Sequence, residues 1–167
     1  MPEPKILVLD VETAPALSYH WGMFKQNIAL NQNVDPGGVM GVGWMWHGKR
    51  PVYWLSDHDP GHDDMIRKVR DLLDEADLLV TYNGQSFDAP HLYAEIAKAR
   101  LTPPSPVQHV DLYRASKKFR FLSHKLQHVS TQLGLEGKME TGGFQLWIDC
   151  LNGDARAWRK MGAYCKQ

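Results

Sequence analysis

Ile6-Leu7-Val8-Leu9-Asp10-Val11-Glu12-Thr13 is the stretch whose reading decides the fold. A short unbroken apolar run followed by a carboxylate reads as a strand buried on both faces, the kind found in the middle of a covered sheet. Asp10 and Glu12 are two residues apart, so a continuing strand places both side chains on one face. Two carboxylates there repel each other and resist burial unless something neutralises them. A divalent cation does so through hard oxygen ligands. The alternative is that the strand ends near Asp10 and both acids are solvated.

Working outward, residues 14–37 lack periodicity and hold Pro15, Asn31, Asn33, Pro36 and Gly37-Gly38, which suggests a long loop with one helical turn around Trp21 to Ile28. Val39 to Trp46 and Pro51 to Leu55 are strand-like runs about His47-Gly48-Lys49-Arg50, a hairpin signal. Met65, Ile66, Val69, Leu72 and Leu73 have helical spacing within Asp63 to Leu73, with acids at the start. Leu78 to Tyr82 reads as a second buried strand. A helix is expected from about Phe87 to Ala99, with Ser86 as its N-cap. Val107 to Leu112 reads as a strand. Helices are expected over Leu122 to Leu133, over Gly142 to Leu151, and from near Asp154 to the end. This order implies an α/β fold, a mixed central sheet flanked by helices, in one domain spanning residues 1–167.

Two further segments carry chemistry. In Thr81-Tyr82-Asn83-Gly84-Gln85-Ser86-Phe87-Asp88 a strand ends, the chain turns at Asn-Gly, and a helix starts. Asp88 then either complements the helix dipole or faces the carboxylates of the first strand at the mouth of the sheet. Tyr113 to Lys125 holds Arg114, Lys117, Lys118, Arg120 and Lys125 with no acid, interleaved with Phe119 and Phe121. Basic grooves with stacking aromatics suit single-stranded nucleic acid, while the plainer reading is a solvated helix start with the Phe rings turned inward. Trp21 and Phe24 either stack on a base or pack within their loop. Asp111 is best read as a strand-end cap.

Bulk properties narrow the classes. Of the 167 residues 43% are hydrophobic and 23% charged, ordinary for one globular domain. Lys+Arg and Asp+Glu both total 19, so a polyanion site would have to be a local patch. Cys150 and Cys165 show no zinc spacing and suit a reducing compartment. The apolar run Ile6 to Leu9 is far too short for a signal peptide or membrane span. A cytoplasmic protein without membrane contact is expected.

Val8-Leu9-Asp10-Val11-Glu12-Thr13 resembles the first motif of the DnaQ-like (DEDD) 3′→5′ exonucleases of the ribonuclease-H-like superfamily. Tyr82-Asn83-Gly84-Gln85-Ser86-Phe87-Asp88 resembles their second. Tyr164-Cys165-Lys166-Gln167 is similar to the start of the third, in the subgroup with a tyrosine four residues before the last aspartate. His109-Val110-Asp111-Leu112 and Leu122 to Leu135 resemble the segment between motifs two and three. The nearest flavour is the stand-alone relatives of family-B polymerase proofreading domains. The resemblance spans nearly the whole chain except residues 14–37.

The resemblance implies a two-metal-ion phosphodiesterase using Mg²⁺ or Mn²⁺, since oxygen ligands suit both. The catalytic residues it implies are Asp10, Glu12, Asp88 and Tyr164. Asp10 would bridge both ions, Glu12 would bind the first, Asp88 would hold the second, and Tyr164 would orient the attacking water. Thr13, Asn83, Phe87, Lys117, Lys118 and Arg120 are the expected nucleic-acid contacts. The fourth carboxylate falls at Tyr164 plus four, position 168, so the domain is expected to be truncated and weakly active. The expected substrate is the 3′ end of DNA or single-stranded DNA. The alternatives are an RNA-trimming enzyme of the same fold and a catalytically impaired nucleic-acid-binding module.

Overall fold

The computed structural model describes residues 3–137 and 139–167. β1 (Ile6–Ala14) lies at the centre of the main sheet. A two-stranded ribbon, β2 (Leu17–Ser18) with β3 (Asn33–Asp35), follows it. β4 (Gly38–Trp46) and β5 (Tyr53–Ser56) form the hairpin, and α1 (His62–Glu75) leads to β6 (Leu78–Thr81). α2 (Asp88–Lys98), β7 (Gln108–Asp111) and the short α3 (Leu112–Ser116) come next. α4 (Leu126–Gln132), α5 (Gln145–Leu151) and α6 (Ala155–Cys165) complete the order. The five-stranded sheet runs β5-β4-β1-β6-β7; β4 is antiparallel to β1 and β5, and β6 and β7 are parallel to β1.

Alternation along β1 divides the molecule into two layers. Leu7, Leu9 and Val11 point into the larger core, where they meet Met65, Ile66, Val69, Leu72 and Leu73 of α1 and Leu92 and Ile96 of α2. Burying each such side chain contributes about 1.5–3 kcal/mol. Val8, Asp10 and Glu12 face the other way and are only partly covered. β1 is therefore fully buried on one face and half-buried on the other, not buried on both. The strand continues through the acids to Ala14, so the reading in which it stops near Asp10 does not hold. A second core, Met40, Leu146, Cys150, Ala157, Trp158 and Met161, packs α5 and α6 over the β4 side of the sheet.

Several expectations need correction. Residues 21–28 form bends rather than a helical turn, and a single 3-10 turn sits instead at Leu30–Gln32. Trp21, Met23 and Phe24 are exposed, so they do not pack within the loop. Ser86 does not cap α2; Phe87 occupies the cap position without a side-chain bond. β7 stops at Asp111 because that carboxylate caps α3 by accepting the Tyr113 N–H, the capping role read for it from the sequence. α4 starts at Leu126, leaving the basic segment irregular after α3. α6 has its capping Asp154 as expected and ends at Cys165. Among the described residues no helix is long and apolar enough to cross a membrane.

The start of α1 is tied to the rest by one imidazole. His62 Nδ1 lies 2.8 Å from Asp57 Oδ1 in the turn after β5, and its Nε2 lies 3.4 Å from Glu95 Oε2 on α2. Lys98 also bonds Glu95, at 2.9 Å. Burial on its own lowers the His62 pKa, but the hydrogen bond and charge of Asp57, joined by Glu95, outweigh it and hold the ring above its ordinary 6.5. The stabilisation is thus complete below pH 6.5 and is lost as pH rises through the elevated value. Thermal melts should show His62→Gln costing more stability at pH 6 than at pH 9. The difference should be less than about 1 kcal/mol, since the ring is part-exposed.

Candidate active site

β1 outruns its parallel neighbour. The β1–β6 pairing covers Ile6 to Val8 against Leu78 to Val80, and beyond it the β6 side of β1 needs another hydrogen-bond partner. Asp88, first residue of α2, supplies one: its Oδ1 accepts the Val11 N–H at 2.9 Å. Asp88 is only 3% exposed. Burial, and then the negative charge of Asp10, pushes its pKa up to about 7, against the opposing hydrogen bonds from Val11 and its own backbone. The Asp88 carboxyl therefore feels the negative charge of Asp10.

The opposite side of β1 is shaped by glycine. In the antiparallel register Asp10 faces Gly43 and Glu12 faces Gly41. The register slips between Glu12 and Thr13, leaving Met40 unmatched, a bulge beside the carboxylates. A Cβ on Gly41 would run into the Trp54 ring; one on Gly43 would lie 3.0 Å from the Cys165 carbonyl, and one on Gly162 2.9 Å from Trp54. The missing side chains let Trp54 and the end of α6 lie directly on the sheet beside the acids. Cys165 Sγ lies 3.5 Å from Glu12 Oε1. Tyr164 and Asp10 line one cavity of about 340 Å³, together with Val8, Val80, Tyr82 and Gln167.

The sequence-predicted residues therefore divide. Asp10 and Asp88 are coupled, Tyr164 shares a cavity with Asp10, and Glu12 meets α6 at Cys165. Among the described residues no three His, Cys, Asp or Glu side chains are gathered closely enough to form a metal-holding group. Thr13 sits at the bulge. Asn83 turns the chain with φ 68°, its N–H donating to Asp111 Oδ1. Phe87 is part-exposed against His91, with ring centroids 4.5 Å apart. Lys117, Lys118 and Arg120 are exposed and lie outside the cavity lining. Lys117 Nζ stands 4.5 Å over the Tyr113 ring, which contacts Tyr82, and Tyr82 donates its hydroxyl to the His124 carbonyl at 2.7 Å. The basic segment is thus fastened to the cavity rim through Tyr82. Phe119 is exposed, contrary to an inward packing of both Phe rings.

Sequence reasoning missed Gly41, Gly43, Trp54, Tyr82 and the Thr81–His109 pair. The Thr81 hydroxyl accepts the Gly84 N–H at 3.1 Å and meets His109 Nε2 at 2.8 Å. Burial lowers the His109 pKa and so disfavours the charged ring beside Thr81. The glycines carried a usable signal, since paired glycines inside a strand mark a close approach.

A mixed five-stranded sheet with helices on both faces, and acids at the end of its central strand, defines the ribonuclease-H-like fold. A family model described as RNase_H superfamily matches residues 29–167, and the chain belongs to that superfamily. Among solved structures, the family B DNA polymerase from the hyperthermophilic archaeon Pyrobaculum calidifontis is similar, with a TM-score of 0.66 and 19% identity. The likeness covers 98% of this chain and 23% of the polymerase chain. At that identity it shows the fold alone. No curated protein matches the chain.

Because the folded pKa of Asp88 lies above its ordinary 3.8, its contribution to stability is full below pH 3.8 and lost as pH rises through about 7. Asp88→Asn keeps an acceptor for Val11. In chelator, denaturant titration should find it more stable than the parent at pH 8 by on the order of a few kcal/mol, with the difference shrinking steadily as pH falls toward 3.8. Gly43→Ala should displace the end of α6 slightly from the sheet, costing about 1–3 kcal/mol. It should also raise the exposure of Tyr164, read by its fluorescence quenching in a background lacking the other tyrosines.

Proposed function

We propose that this chain is the catalytic domain of a DnaQ-like 3′→5′ exonuclease of the tyrosine subgroup, acting on DNA 3′ ends. One observation carries the reading: Asp88 is buried against the central strand under the charge of Asp10. A fold keeps two such acids together at a cost unless a cation relieves it. The donor set is all oxygen and fits Mg²⁺ or Mn²⁺. Asp10 and Asp88 would hold the metal, with Glu12 joining them once it gives up Cys165. Bound divalent ions supply a water deprotonated near neutral pH and stabilise the leaving oxygen. Tyr164, which lines the same cavity as Asp10, would orient that water by a hydrogen bond. Thr13, Asn83 and Phe87 would meet the terminal nucleotides, and Lys117, Lys118 and Arg120 the backbone further along. The resemblance of the motifs to those of proofreading domains favours DNA over RNA.

An aspartate at position 168 would complete the proposed site if α6, which ends at Cys165, continued through it, since i and i+4 share a helix face. The test uses 5′-labelled DNA and RNA strands with free or blocked 3′ ends. It compares this chain with a version extended through an aspartate at 168 and two further helical turns. The extended form should trim free DNA ends in Mn²⁺ on the order of a thousandfold faster, and Asp10→Asn should abolish trimming. Trimming confined to RNA would move the substrate to RNA. Tight strand binding with no trimming by either form would leave a nucleic-acid-binding module.

A further inference from the structure

Asp111 is the hub of the turn that delivers Asp88. Its carboxylate is 5% exposed, on the last residue of β7. Oδ1 accepts the Asn83 N–H at 2.8 Å and the Tyr113 N–H at 2.9 Å, and Oδ2 accepts the Gln85 N–H at 3.3 Å. Three amides from two segments thus converge on one side chain. Two of them belong to the turn between β6 and α2, and the third opens α3, which leads into the basic segment.

The turn cannot hold this shape unaided. Asn83 is in the left-handed region, which costs a non-glycine residue about 1 kcal/mol or more. A Cβ on Gly84 would collide with Thr81, whose hydroxyl already takes the Gly84 N–H. The Gln85 side chain adds a tether of 2.9 Å to the His109 carbonyl. From Gly84 the connection to the acid is short: the Ala89 N–H donates to the Gly84 carbonyl at 2.9 Å, closing the turn around Asp88. The position of the turn against β7 therefore fixes how far Asp88 reaches toward β1.

We propose that Asp111 is a positioning residue. By holding Asn83 and Gln85 it seats Asp88 on the Val11 amide, and by capping α3 it sets the basic segment in register with that carboxylate. The role toward a metal and a strand rests on the nuclease reading above, whereas the seating of Asp88 does not. Asp111 touches no reacting group, so its loss acts through geometry. Replacing the residues that orient a metal ligand typically weakens metal affinity by about 10–100-fold.

The test follows amide hydrogen exchange in the full chain, residue by residue, in Asp111→Ala and Asp111→Asn. Asn keeps one acceptor oxygen for Asn83 and Tyr113 but presents an N–H₂ toward Gln85. The Val11 amide should exchange at least about tenfold faster in Asp111→Ala, and by a smaller factor in Asp111→Asn, while Leu9 and Val42 keep the parent's protection. In both variants the Mn²⁺ concentration giving half-maximal strand trimming should rise, by about tenfold or more in Asp111→Ala. Unchanged Val11 protection overturns the proposal, and so does a uniform loss across β1 and β4. Should Asp111→Ala not fold, the same two outcomes in Asp111→Asn decide it. If neither the parent nor the form extended through an aspartate at 168 trims, the nuclease reading fails while the Val11 amide still reports on Asp111.

Discussion

The structure depends on the hydrogen bond from the Val11 N–H to the Asp88 carboxylate. A central strand that extends past its parallel neighbour leaves edge amides in need of acceptors, and a buried unpaired N–H costs about 1–3 kcal/mol. Using a helix-start aspartate solves that problem and creates another, because the acceptor is an ionisable group beside Asp10. The strain appears as the elevated pKa of Asp88. The backbone solution and the electrostatic tension are the same contact. A fold that needed only an acceptor could have used asparagine.

Two cores hold the partners in place from opposite sides. The larger one fixes the α1–α2 face, setting the distance from α2 to β1. The smaller fixes α6 on the other face, where Trp54 lies between Gly41 of β4 and Gly162 of α6. Asp10 and Glu12 project toward the second layer, while Asp88 arrives from the first. Asp88 comes under the charge of Asp10 where both layers reach β1. The basic segment joins through Tyr82, at the next step along β6, and Asp111 links it to the turn before Asp88.

Much of this was legible in the sequence. Alternation and the 3.6-residue period located β1, the hairpin, α1, β6, α2 and α6, because each buries one face and the apolar residues mark it. The shared face of Asp10 and Glu12 follows from spacing alone. Contacts distant in sequence were not legible. That Asp88 would bond an amide of β1 needs the register of β1 against β6. That Glu12 would meet Cys165 needs the placement of α6, 153 residues away. The expected helical turn at 21–28 failed because those apolar side chains have nothing to pack on; Trp21 is 97% exposed. Ser86 lost the cap position to Phe87 because hydrogen bonds to Asp111 and Thr81 set the turn, overriding local capping preference. The capping role of Asp111 was readable, but its bonds to Asn83 and Gln85 were not.

The central claim is that the tension between Asp10 and Asp88 exists to be relieved by a divalent cation. The most direct measurement is anomalous diffraction at the manganese edge from crystals of this chain grown with Mn²⁺. The account predicts a peak within coordinating distance of carboxylate oxygens of both Asp10 and Asp88, roughly 2.0–2.3 Å away, and its absence in Asp10→Asn crystals. Manganese bound elsewhere, or none between these acids with both carboxylates in their present places, would contradict it.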